Sequence, residues 1–119
     1  MSFADEAGER RAAISDAIVG VYSDCYGRGP TKAKTFLFDD YVLCVLEGLL
    51  TTVEQTLVDR GEEDLVRSVR LTFHEEEAEK FKAAVAGVLG RPVVAYTSQV
   101  TFHPEAGFEM FVLGPAAPD

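Results

Sequence analysis

The run KTFLFDDYVLCVLEG, residues 34–48, constrains this chain more than any other stretch. Phe, Leu, Val and Tyr dominate it, and such residues favour strands. Asp39-Asp40 is its one polar break, and paired aspartates suit a turn. The run therefore predicts a hairpin, with strands at about 32–38 and 41–47. On the second strand Val42, Cys44 and Leu46 point one way, and Tyr41, Leu43 and Val45 the other. A strand with one wet face alternates apolar and polar residues. Here both faces are apolar, so cover is expected on both sides, from the first helix or from a second copy of the chain.

The rest of the chain supplies that cover. Ala13, Ile14, Ala17, Ile18, Val21, Tyr22 and Cys25 recur at three and four, which predicts a helix over about 5–25 with one apolar stripe. Gly27 to Pro30 must end it. Thr51 or Thr52 opens a second helix, and Thr51, with Glu54 three residues on, has capping-box spacing. Gly61 interrupts, and a longer helix is expected over 62–89, with Glu75, Glu76 and Glu77 as its solvated middle. Gly90 and Pro92 form its stop. Val93–Phe102 and Phe108–Leu113 read as a second strand pair, joined by HPEAG. Val94, Tyr96, Ser98, Val100 and Phe102 share one face of the first arm.

The order is helix, two strands, long helical segment, two strands. The simplest solution is an α+β two-layer sandwich, a four-stranded, mostly antiparallel sheet with helices packed on it. Its 119 residues fit a single domain over 1–119, with ends frayed at about 1–4 and 114–119.

The net charge of −9 is spread over both halves, so no basic surface is masked by an acidic tail. Phosphate backbones need clustered Lys and Arg, so nucleic acid is a poor partner. Anionic membrane surfaces are disfavoured for the same reason. No run of eighteen apolar residues and no basic leader appears, so direct membrane insertion is not expected and the expected location is cytoplasmic. Cys25 and Cys44 are the only cysteines, too few for a disulfide framework.

Few residues invite chemistry. In GRGPTKA, residues 27–33, two glycines precede Lys32, and Arg28, Lys32 and Lys34 concentrate positive charge. A phosphate loop of the G-x-x-x-x-G-K-[ST] type runs from strand to helix; this one leaves a helix and enters a strand. Three readings stay open: a rigid turn, a partner-docking loop, or a small anion nest. Asp39 and Asp40 read first as turn formers, with a weak cation site as the alternative. His74 precedes three glutamates, but residue 78 is Ala, so the H-E-x-x-H pattern fails. With His103 as the one other histidine, the sequence offers a poor metal set. Ser98 has no G-x-S-x-G context. Arg70 is placed to reach a carboxylate such as Glu54 or Asp39, as a structural ion pair or at an interface. No catalytic, cofactor or metal residue is assigned.

GRGP at 27–30, the aspartate hairpin, EGLLTTVEQTL at 47–57, LVRSVRLTF at 65–73 and GRPVVAYTSQV at 90–100 occur in a specific order. In that order the chain resembles the small bacterial MpsC-like family of a Na+-translocating membrane-potential-generating system, over about residues 10–113. The resemblance implies a soluble accessory protein associated with membrane ion-transport machinery, and it supplies no catalytic residues. It puts weight on Gly27, Arg28, Gly29, Pro30, Asp39, Thr51, Glu54 and Arg70. The chain departs at Gln99, where the family pattern has Asp after Ser98, and at the HPEAG turn.

The leading expectation is therefore a non-enzymatic interaction protein, a homodimer that binds a further protein or a membrane-associated complex. One alternative is a small-ligand or anion-sensing module with a pocket near Arg28, Lys32 and Arg70. The other is an enzyme whose cleft joins Ser98 with His74 or His103 and an acid.

Overall fold

A computed structural model describes residues 3–116, with side chains from residue 5. Helix α1 (Phe3–Tyr26) leads into the hairpin β1 (Lys32–Phe38) and β2 (Tyr41–Glu47). Helices α2 (Thr52–Asp59), α3 (Glu63–Glu76) and α4 (Ala78–Leu89) follow, then β3 (Val93–Phe102) and β4 (Glu105–Leu113). The four strands form one antiparallel sheet in the order β1-β2-β4-β3. The expected α+β sandwich is present, with the second hairpin placed beside β2 so that β1 and β3 form the edges. Of the ends expected to fray, residues 1–2 and 117–119 lie outside the described residues. Gly114 is held, since its N–H donates to Pro92 O and its carbonyl accepts from Arg91 Nε.

The core lies between one sheet face and the helices. Ile14, Ile18 and Tyr22 from α1, Phe81 and Val85 from α4, and Val42, Cys44, Leu46, Val100 and Phe111 from the sheet are all buried. Each such aliphatic or aromatic side chain contributes about 1.5–3 kcal/mol by leaving water. The α1 stripe packs as expected, except that Ala13 stays exposed.

Four expectations need correction. The long helix breaks at Glu77 (φ −101°, ψ 12°). Its two pieces turn different stripes inward, Val66, Arg70 and His74 from α3 and Phe81 and Val85 from α4, which one straight helix could not do around a twisted sheet. In β3 the register shifts between Val93 and Ala95. That shift takes Val94 off the inward face and leaves it 61 % exposed. The HPEAG connection is shorter than expected: β4 begins at Glu105, paired with Phe102, and only His103-Pro104 make the turn.

The fourth correction concerns the first helix as the cover for the second face of β2. Helix α1 lies on the face of Val42, Cys44 and Leu46, not on the second face of β2. Among the described residues no other helix crosses over, so Tyr41, Leu43 and Val45 face outward in a row with Phe36, Phe38, Phe108, Met110 and Val112. Phe38, Tyr41 and Met110 are each at least half exposed, at 53, 55 and 50 %. Among the described residues, none covers the second side of the hairpin.

Candidate functional site

Four of the residues weighted in the sequence, Arg28, Thr51, Glu54 and Arg70, meet at the loop that leaves β2. Gly48 takes a positive φ of 64°, and a Cβ there would collide with Thr31. This turn aims successive carbonyls sideways, and two arginines receive them. Arg28 donates to Gly48 O at 3.1 Å and to Leu50 O at 3.2 Å. Arg70 donates to Leu49 O at 3.0 Å. Leu49 N–H donates to the Glu105 carboxylate at 2.7 Å. Thr51 and Glu54 then form the expected capping box at the start of α2.

Glu54 has two tasks. Its carboxylate caps Thr51 N–H and accepts a two-pronged pair from Arg70, Nε at 2.6 Å and Nη2 at 2.7 Å. Such bidentate geometry is the strong form of the ion pair. Burial pushes the Glu54 carboxyl up, but the Arg70 hydrogen bonds and the Thr51 backbone outweigh it, and it titrates below its ordinary range. Of the two carboxylates expected for Arg70, Glu54 is the partner and Asp39 is not. Arg70 also lies over the Tyr26 ring, 4.5 Å from its centroid, a favourable cation–π position.

The other nominees stand apart. Gly27 has a positive φ of 78°. Gly29 approaches Val19 and Ser23 so closely that a Cβ would clash, and Pro30 follows. These shape the loop that carries Arg28. Lys32 points from β1 to the open face, 3.9 Å from Glu47. Asp39 (φ 49°) sits at the hairpin tip, and its neighbour Asp40 pairs with Arg91 at 2.8 Å. An anion pocket uniting Arg28, Lys32 and Arg70 is not formed: Arg28 and Arg70 both turn to the loop carbonyls, and Lys32 lies on the other sheet face.

One turn beyond Arg70 lies a cluster that sequence reasoning missed. Glu109 of β4 is fully buried in the core. Tyr22 of α1 donates to its Oε1 at 2.5 Å, and Tyr96 of β3 donates to its Oε2 at 2.9 Å. His74 Nδ1 lies 2.8 Å from the Tyr96 hydroxyl. Since the single Tyr96 proton points at Glu109, the Tyr96 oxygen accepts from His74, and Nδ1 carries the hydrogen. Nε2 is then a bare acceptor, and among the described residues it has no partner. Arg70 Nη1 also has none. Both side chains, with Tyr22 and Ser98, line a cavity of about 60 Å³ between α3 and β3.

Burial sets the electrostatics of this cluster. It raises the Glu109 carboxyl to about 7, against the pull of the Tyr22, Ser98 and Tyr96 hydrogen bonds. Burial, helped by Arg70, lowers His74 to about 4. The Tyr22 and Tyr96 phenols are both raised, by burial first and by Glu109 next. Signals for the cluster existed. In FEMFVL, Glu109 falls in step with inward Phe111 and Leu113, and Tyr22 sits on the α1 stripe.

Ser98, His74 and an acid, the trio set out for an enzyme, do come close together. They are not wired for nucleophilic catalysis, which needs the base on the hydroxyl: Nδ1 is engaged by Tyr96 and Nε2 bonds nothing. His103 lies elsewhere, exposed in the β3–β4 turn, 3.9 Å from Glu63. Among the described residues no group of three His, Cys, Asp or Glu could hold a metal, and no helix is long and apolar enough to cross a membrane.

Comparison with known proteins agrees with the ordered motifs. A family model described as "Na+-translocating membrane potential-generating system (MpsC)" matches residues 6–114. No curated protein and no solved structure matches the chain.

Proposed function

The chain belongs to the MpsC family, and from that premise we propose that it is a non-enzymatic accessory protein of membrane ion-transport machinery, working at the cytoplasmic side as a homodimer joined through its open sheet face. The observation that carries this reading is the uncovered row Phe36, Phe38, Tyr41, Leu43, Met110 and Val112. The apolar row spans three strands, β1, β2 and β4, about 4.8 Å apart and some seven residues long, a patch of roughly 15 by 25 Å. That is about 400 Å² in projection, and more with side-chain relief and the adjoining face of β3. Monomers rarely leave larger apolar patches in water, and patches of this size are often functional; a standard interface takes about 800 Å² from each partner.

Charge supports a second copy as the occupant. The molecule carries −9, so copies repel over most of their surface. The open face of β1 and β2 bears only Lys32, Lys34 and Glu47, gathered at one end. It is the charge-poor patch through which two acidic molecules can meet. The arginine-held loop 48–51 fixes Arg28 and Thr51 beside one another, and the GRGP loop there is the surface that meets the larger complex.

The test is the mass in solution. Light scattering at tens of micromolar should give a dimer for the natural sequence and a monomer for Met110→Glu, with unchanged far-ultraviolet circular dichroism. A monomeric natural protein at that concentration would overturn the dimer. Arg28→Glu in the dimer should then reduce co-purification with the membrane fraction; unchanged co-purification would remove the loop from the docking surface.

A further inference from the structure

We propose that Glu109, Tyr96 and His74 form a proton relay between the core and the α3–β3 cavity, so that proton uptake by Glu109 turns His74 Nε2 from a hydrogen-bond acceptor into a donor. This goes beyond the docking role and does not depend on it.

The geometry is a continuous chain. His74 Nδ1 to Tyr96 Oη is 2.8 Å, and Tyr96 Oη to Glu109 Oε2 is 2.9 Å, both ordinary hydrogen-bond lengths. With Glu109 ionised, every hydrogen points toward the carboxylate: Nδ1–H to Tyr96 Oη, and Tyr96 O–H to Oε2. A proton arriving at Nε2 forms a new N–H bond there. The Nδ1–H bond breaks as its proton moves to Tyr96 Oη, and the Tyr96 O–H bond breaks as that proton moves to Oε2. One proton enters at the cavity and one reaches the carboxyl. Imidazole and phenol end neutral. The chain is now reversed: Glu109 O–H donates to Tyr96, Tyr96 donates to Nδ1, and Nε2 carries a hydrogen.

The surroundings suit a carboxyl that changes charge without a counter-ion. From α1, Tyr22 donates to Oε1 and Tyr26 stacks on Tyr22. From β1 and β2 come Thr35 and Cys44, the latter paired across from Glu109. From β3 come Tyr96 and Ser98, and from α3 His74 and Arg70. Helix α4 presents apolar Phe81, stacked on His74 at 4.8 Å. Arg70 is the one fixed cation in this set, and Glu54 already neutralises it. A buried carboxylate without a dedicated cation is costly; burial accordingly pushes Glu109 up to about 7.

The unpartnered Nε2 gives the relay its outlet. A volume of about 60 Å³ admits water that can deliver the proton. The switch changes what the cavity wall can bind. Ionised Glu109 leaves one donor, Arg70 Nη1, beside one acceptor, a match for a hydroxyl. Protonated Glu109 leaves two donors, a match for an acceptor oxygen.

The test is nuclear magnetic resonance on the labelled natural protein from pH 5 to 9. The ¹³C shift of the Glu109 carboxyl should titrate with a midpoint near neutrality. The ¹⁵N shifts of His74 should exchange from the Nδ1–H to the Nε2–H tautomer at the same midpoint, without passing through imidazolium. Tyr96→Phe should keep the Glu109 titration and uncouple it from His74. A His74 ring that holds one tautomer while Glu109 titrates would overturn the relay, and so would a Glu109 that keeps one charge throughout that range. Both readings come from the natural sequence, so they stand even if a variant fails to fold.

Discussion

Glu109 and His74 pull the pH dependence of stability in opposite directions. The Glu109 carboxyl titrates at about 7 when folded, against an ordinary value of 4.5. Between those values the folded state holds a proton that the unfolded chain has lost, so stability falls as pH rises. The His74 ring titrates at about 4, against an ordinary 6.5. Here the unfolded chain takes the proton first, so stability falls as pH drops. Across roughly pH 4.5–6.5 the two slopes cancel, and only Glu109 acts above that. Glu109→Gln removes one slope. Its stability should therefore rise by about 2 kcal/mol from pH 4.5 to 6.5 relative to the natural sequence, read from urea midpoints at a series of pH values. Arg70→Ala acts by another route. It leaves Glu54 largely buried and unpaired and strips Leu49 O of its donor, at a cost of about 3 kcal/mol. Arg70→Lys should recover only part of this, since an ammonium cannot span both carboxylate oxygens and the carbonyl.

At the scale of elements, most of the architecture was legible because the periods were clean. The α1 stripe, the β1–β2 hairpin and the Thr51–Glu54 box each rest on local spacing, and each stands within a residue or two of its expected place. The break at Glu77 was hidden because three glutamates read as a solvated face, and nothing in EEE says that the inward stripe changes direction there. Val94 was misplaced for a similar reason, as a register shift leaves no mark on an alternating pattern. The candidate site was legible by residue and not by role. Arg28, Thr51, Glu54 and Arg70 stood out, yet only the fold reveals that the two arginines hold one loop's carbonyls while Thr51 and Glu54 cap the helix that follows. Glu109 was overlooked because a lone carboxylate on a strand reads as solvated by default. The loop's geometry makes its own prediction. Gly90→Ala meets only the cost of a positive φ of 65° in open space, about 1 kcal/mol. Gly48→Ala meets that cost at φ 64° and a collision with Thr31 besides. The Gly48 variant should therefore lose clearly more in thermal midpoint than the Gly90 variant, and equal losses would deny the close approach.

For the whole molecule, the decisive asymmetry is that every helix lies on one side of the sheet. A monomer built this way keeps Phe38, Tyr41 and Met110 in water at no internal gain, and single substitutions there change monomer stability by less than about 0.5 kcal/mol. A dimer is different, because association through that face favours the folded state by mass action. The thermal midpoint of the natural protein should therefore climb with protein concentration over roughly a hundredfold range. Met110→Glu places a carboxylate at the centre of the face and should make the midpoint independent of concentration. At high dilution the two midpoints should converge, since there both proteins are monomers with the same core. A natural midpoint that ignored concentration, or a variant that stayed less stable at every dilution, would mean that the exposed row contributes to the fold of the single chain and not to a contact between copies.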